Sequence, residues 1–240
     1  MASAAFWAAV GSSALVIGAL IGFFVPVSTR VLGLIMGFGA GTLLSAVSFE
    51  LVLQAYNEVK DASVVFGLIA GALVFWAGDR LLERFTPSGE DPVVGASVSG
   101  PSLVLGATLD GVPESVAIGL TLLGGGSVSV AMVVAVFLSN MPEGMAASVG
   151  LRNAGHSRAR ILWVWAGIVA MSVAAAAIGY GLLGDASPDL VASIQAFAAG
   201  SILAMLANTM MPQAFANGGR EVGLVTVFGF ILASALATLG

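Results

Sequence analysis

The sequence predicts an all-α integral membrane protein with eight transmembrane helices, an inverted-repeat transporter fold and both termini outside. Three observations lead there. Charged residues make up 9% of the 240-residue chain and hydrophobic residues 58%, against about 25% charged in an average soluble domain. The mean hydropathy is +1.04. Apolar runs of about 20 residues follow one another along the whole chain. With 8 Lys and Arg plus 13 Asp and Glu, a soluble protein of this size cannot cover its surface, so the bilayer is the solvent. That excludes a soluble enzyme and a disordered chain. A net charge of −5 leaves no basic footprint for a phosphate backbone, so no nucleic-acid partner is expected. The absence of Cys removes disulfides and thiolate metal sites.

The first ionisable side chain is Arg30. A secretory leader needs a basic segment before its apolar stretch, so residues 4–26 read as a retained span that ends near Pro26. The following spans are expected at 31–55, 63–83, 101–123, 127–150, 160–183, 190–214 and 222–239. Together they form a single transmembrane domain over residues 1–240. In hydrocarbon only helices satisfy their backbone groups within each segment. Seven basic residues fall on one side: Arg30, Arg80, Arg84, Arg152, Arg158, Arg160 and Arg220. Lys60 falls alone on the other. By the positive-inside rule the arginine side is cytoplasmic and both termini are outside, in the cell (plasma) membrane. Gly124, Gly125 and Gly126 read as a tight outer turn. Residues 85–100, rich in Gly, Ser and Pro, read as a flexible cytoplasmic linker. The mixed-charge stretch 79–85 reads as a solvated helix end.

Two pairs of spans resemble each other. FGAGTLLS (38–45) matches FAAGSILA (197–204), and at the same offset Glu50 aligns with Thr209 and Gln54 with Gln213. PESVAIG from Pro113 resembles PEGMAAS from Pro142. The members of each pair cross in opposite directions, as the inverted repeats of transporters do, with a substrate site near the midplane. Recurring small-residue packing patterns are the alternative source of such matches.

Three acidic residues stand deep in the apolar spans: Asp110, Glu114 and Glu143. Charges there are costly and mark ion or proton pathways. At 1.5 Å per residue, Asp110 lies about 13 Å and Glu114 about 20 Å from the cytoplasmic side; Glu143, Asn140 and Ser139 lie about 12, 16 and 18 Å from it. Spacings of three and four residues put Asp110 with Glu114, and Ser139 and Asn140 with Glu143, on common faces. Pro113 and Pro142 release the carbonyls of Leu109 and Leu138, which are expected to lie beside these side chains and complete an oxygen-rich cation site. No Lys or Arg lies within residues 101–150 to neutralise the acids; a cation would. The alternative is that the acids are protonated and act as hydrogen-bonding glue between helices.

At these residues the sequence resembles the ZIP (Zrt/Irt-like) family of divalent metal transporters. Its span 4 motif His-Asn-x-Pro-Glu-Gly corresponds to DGVPES (110–115), and its span 5 motif to SNMPEG (139–144). The likeness continues through GLRNAG (150–155) and the span 7 stretch that ends in Gly219. The departures are Asp110 and Gly111 for the family's His and Asn, Ser139 for its His or Gln, no acid in 171–180, and Thr209 and Gln213 where acids are common. A two-metal centre thus looks reduced to one site. The resemblance implies import into the cytoplasm and an elevator-like movement of spans 1, 4, 5 and 6 against the others.

The expected metal ligands are Glu114 and Glu143, then Asp110, Asn140 and Ser139. Hard oxygens suit Mn²⁺, Mg²⁺ or Ca²⁺, and carboxylates also bind Zn²⁺, Fe²⁺ or Cd²⁺. The divalent cation is expected as transported substrate, with no cofactor. The titrations of neighbouring carboxylates are coupled, so uptake is expected to depend on pH. Two other functions compete. One is transport of a non-metal substrate with the carboxylates carrying protons. The other is a non-transporting membrane sensor or assembly subunit on a degenerate transporter fold. An enzyme fits least, because two paired Asp are needed for aspartic proteolysis. Glu50 reads as a helix-end carboxylate wetted by headgroup water, with a cation-attracting entrance residue as the other reading. His156 reads as a solvated loop residue, and Met141, Met145, Met205, Met210 and Met211 as packing residues. Gly67, Gly71 and Gly78 on span 3 permit close helix contact, so a homodimer is plausible.

Overall fold

The computed structural model describes residues 1–60, 62–85, 100–123 and 128–239. The expected glycine turn at 124–126 and nearly all of the linker at 85–100 lie outside them. Among the described residues the regular structure is helical and no strand occurs. The helices are α1 (Ala2–Phe24), α2 (Thr29–Val59), α3 (Ser63–Phe85), α4 (Gly100–Thr121), α5 (Val130–Asn153) and α6 (Arg158–Leu183). α7 continues through Pro188–Met205, Leu206–Met210 and Met211–Gly218, and α8 is Val222–Leu239.

Serine caps set four helix starts. Ser28, Ser129, Ser157 and Ser187 each accept a bond from the backbone N–H three residues on, supplying a partner to an otherwise orphaned donor. Pro188 follows its cap at the first helical position, where a missing N–H costs nothing. α5 stops at Gly155, φ 89°. The His156 N–H bonds back to the Leu151 carbonyl and the Gly155 N–H to that of Arg152, a glycine-dependent helix stop. These caps explain why several helices start or end a few residues from the hydropathy boundaries.

Among the described residues six helical stretches are long and apolar enough to cross a membrane, against the eight expected over the whole chain. One of them, Pro188–Thr238, is a helical run of 51 residues that takes in both expected spans seven and eight. Straight, it would extend about 75 Å. It folds back at Gly219, φ 73°, so that Gly33 of α2 meets Gly218 while Gly37 meets Val222. The expected fourth span, α4, is not among the six; the side chains of its first six residues lie outside those described.

The helices pack as two groups. α1 lies along α5 and α6, and α4 lies along α6; α2 lies along α8 and the end of α7, and α3 along the start of α7. Helix directions put all seven arginines at one end. Arg152 donates to the Phe23 carbonyl at 3.2 Å, and Arg30 pairs with Glu221 at 2.8 Å. Arg158 stands over the rings of Phe23 and Phe24. Lys60, a left-handed residue that closes α2, lies at the other end.

An inverted repeat relates α2–α3 to α7–α8. Gly41 of α2 abuts the Thr226 carbonyl of α8, and Gly200 of α7 abuts the Leu68 carbonyl of α3. In return Gly229 abuts the Phe38 carbonyl and Gly71 that of Phe197. Both helix pairs thus interlock through a reciprocal glycine–carbonyl contact at matching positions. α2 turns π-helical over Val47–Val52 and α7 over Leu206–Met210, and both π segments start at the same place in the repeat. Gly67, Gly71 and Gly78 are consumed inside the chain. Their contacts are Ala196 and Ser193, Phe197, and Leu109, so they do not mark a face for a second copy. Met145, Met205 and Met210 are buried packing residues.

Candidate metal site between α4 and α5

Glu114 on α4 is 2% exposed, and Ser139 and Asn140 on α5 are buried with it. Ser139 Oγ donates to Glu114 Oε1 at 3.5 Å and to the Val136 carbonyl at 3.0 Å. Glu114 Oε2 is buried with no hydrogen bond among the described residues, and the Asn140 side chain is the other polar neighbour of this carboxylate. A buried carboxylate oxygen without a donor is costly, and no Lys or Arg pairs with it. The depth arithmetic placed Glu114 and Ser139 in one layer, and here they touch.

Asp110 and Glu143 are half-buried. Their charges interact with each other, Glu114 interacts with both, and Asp110 also interacts with Asp79 on α3. Even so, no three His, Cys, Asp or Glu side chains among the described residues converge into a metal-holding group. The structure therefore brings together Glu114, Ser139 and Asn140, with Asp110 and Glu143 as close charged neighbours. Half-buried Asp79 faces the acidic region, so it is more than a solvated helix end.

α4 and α5 run as helix through Pro113 and Pro142. The Leu138 carbonyl, which Pro142 leaves without its usual donor, lies against Gly39 of α2. A methyl group at Gly39 would stand 2.8 Å from that oxygen. The glycine lets the two helix groups meet backbone to backbone at this oxygen.

Glu50 is not at a helix end, because α2 continues nine residues beyond it to Val59. It sits in the π segment and lines a cavity of about 1100 Å³ at the Lys60 end. Gln54 Nε2 donates to Glu50 Oε2 at 3.3 Å. Gln195 of α7 lines the same cavity. Sequence reading missed it; its one signal was an amide seven residues inside an apolar helix.

The sequence matches no family model. It is 30% identical over 198 residues to the zinc transporter ZupT of Salmonella arizonae, covering 78% of this chain and 76% of ZupT. The chain belongs to the ZIP family. Another relative, a protein of Arabidopsis thaliana named as a zinc transporter, is 29% identical over 227 residues, 93% of this chain. The match covers 36% of that protein's length. Both relatives are named as zinc transporters, which makes metal transport the activity to weigh against the site.

Proposed function

We propose that the chain is a membrane transporter that moves divalent metal cations through a site between α4 and α5. The observation that carries this reading is Glu114, a buried carboxylate with one orphaned oxygen and no cationic side chain to neutralise it. Glu114 and Glu143 supply charge, and Asp110, Asn140 and Ser139 supply further oxygens. This donor set suits hard cations such as Mn²⁺ best, and carboxylates also bind Fe²⁺, Zn²⁺ and Cd²⁺. Kinship with proteins named as zinc transporters supports a metal over another substrate.

In this reading α1–α8 each cross the plasma membrane, with the arginine end in the cytoplasm and both termini outside. Import follows an elevator-like movement of α1, α4, α5 and α6 against α2, α3, α7 and α8. Division of the packing into these same groups supports it, as does the Gly39–Leu138 contact between them. Metal binding displaces protons from the coupled carboxylates, so uptake varies with pH.

The test is uptake of Mn²⁺, Fe²⁺, Zn²⁺ and Cd²⁺ by liposomes that carry the purified protein. Uptake should be lost in Glu114→Ala/Glu143→Ala. Uptake of every metal at wild-type rates by that folded variant refutes the site; no uptake of any metal by the wild type refutes the function.

A further inference from the structure

The cavity at the Lys60 end has a polar lining that the carboxylate site does not use. Glu50, Gln54, Asn57 and Glu58 come from the second half of α2, and Gln195 from α7. Gln195 is 4% exposed, and no hydrogen bond of its amide is found among the described residues. Its side chain lines the cavity, and the amide opens onto that space. Glu50 Oε2 is held by Gln54 at 3.3 Å. At about 1100 Å³ the cavity takes an ion together with its first water shell, each water filling about 30 Å³. Carboxylate and amide oxygens are the donors that hard divalent cations prefer.

The repeat supplies an internal control. The offset that pairs the two π segments carries Glu50 to Thr209, Gln54 to Gln213 and Glu58 to Asn217. The backbone is duplicated, but the charge is present at one end only. We propose that Glu50, Gln54 and Gln195 form a loading site that holds a hydrated divalent cation at the Lys60 end before it reaches Glu114. Their neutral counterparts at the arginine end form no equivalent trap. The proposal rests on the metal-transport reading and adds a second, shallower station to it.

Mn²⁺ is the probe, and its free aqua ion is counted by electron paramagnetic resonance with the full chain in detergent. Glu114→Ala/Glu143→Ala should keep one Mn²⁺ site weaker than that of the wild type. Adding Glu50→Gln should weaken it about ten-fold, the effect of removing one charge at a hydrated site. Gln195→Leu, similar in volume, tests the site from the other helix and should weaken it in the same direction. In liposomes Glu50→Gln should raise the half-saturating Mn²⁺ concentration. The loading site is overturned if the double-alanine protein binds no Mn²⁺ while the wild type does, or if Glu50→Gln leaves the residual site unchanged. A residual site that depends on Glu50, in a protein whose wild type transports no metal, sustains the loading site and refutes the transport reading alone.

Discussion

Glu114→Gln isolates charge from shape. One carboxylate oxygen becomes an NH₂ of nearly equal size, and the amide carbonyl still accepts from Ser139, now 3.5 Å away. The orphaned Oε2 is the atom replaced, so the cation-free fold should survive. Cation binding should not. A cation at 100 times its Kd stabilises the native state by about 2.7 kcal/mol. At about 2–4 °C per kcal/mol for a chain of this size, the wild-type midpoint rises by roughly 5–11 °C. Removing one partner of a buried charge pair costs at least about 3 kcal/mol, or about 100-fold in affinity. At the same cation concentration the variant then gains only about 0.4 kcal/mol, a shift of about 1–2 °C. Thermal unfolding of the detergent-solubilised protein, followed by tryptophan fluorescence with and without Mn²⁺, measures both. A full cation-induced shift in Glu114→Gln refutes Glu114 as a ligand. A fall of several degrees without cation would make its role structural.

Two further predictions concern the scaffold. Gly41→Ala and Gly200→Ala each drive a methyl into a facing carbonyl, of Thr226 and of Leu68, with the carbonyl carbon 2.8 Å away in both. Each should cost about 1–3 kcal/mol by overpacking, and by similar amounts, because the repeat relates them. Gly167→Ala, with nothing within 4 Å, should change stability by less than about 1 kcal/mol; equal melting points for all three would contradict the packing. Trp165→Phe removes the 2.8 Å bond from Nε1 to Ser148 Oγ, both residues being fully buried. The orphaned hydroxyl should cost about 1–3 kcal/mol, and adding Ser148→Ala should recover part of it. Additive losses in the double variant would rule out the coupling.

How much of the site was legible depends on how local its signal is. Glu114 and Ser139 were found by helix rise alone, because a carboxylate deep in an apolar run needs no partner to be noticed. Their contact is real, at 3.5 Å. Helix rise could not show that α2 packs against the Leu138 carbonyl, because Gly39, which meets it, is about 100 residues away in the chain. Glu50 was read as a helix end because hydropathy falls after residue 55, whereas hydrogen bonding carries α2 on to Val59. Gln195 gave almost no signal, since a single amide in an apolar helix is ordinary until its surroundings leave it unpaired.

Composition and spacing alone determined the solvent, the helical class, the gathering of arginines toward one end and the duplicated Pro-Glu units. These are local properties: hydropathy acts on each segment where it stands, and helix periodicity sets faces without reference to neighbours. Only the tertiary structure decided which glycines are spent inside the chain, where the repeat closes on itself and which acids share a space. Those outcomes depend on close approach between distant segments. Glycine–carbonyl contacts bring the helices near enough to decide them, and no stretch of sequence contains both sides of such a contact.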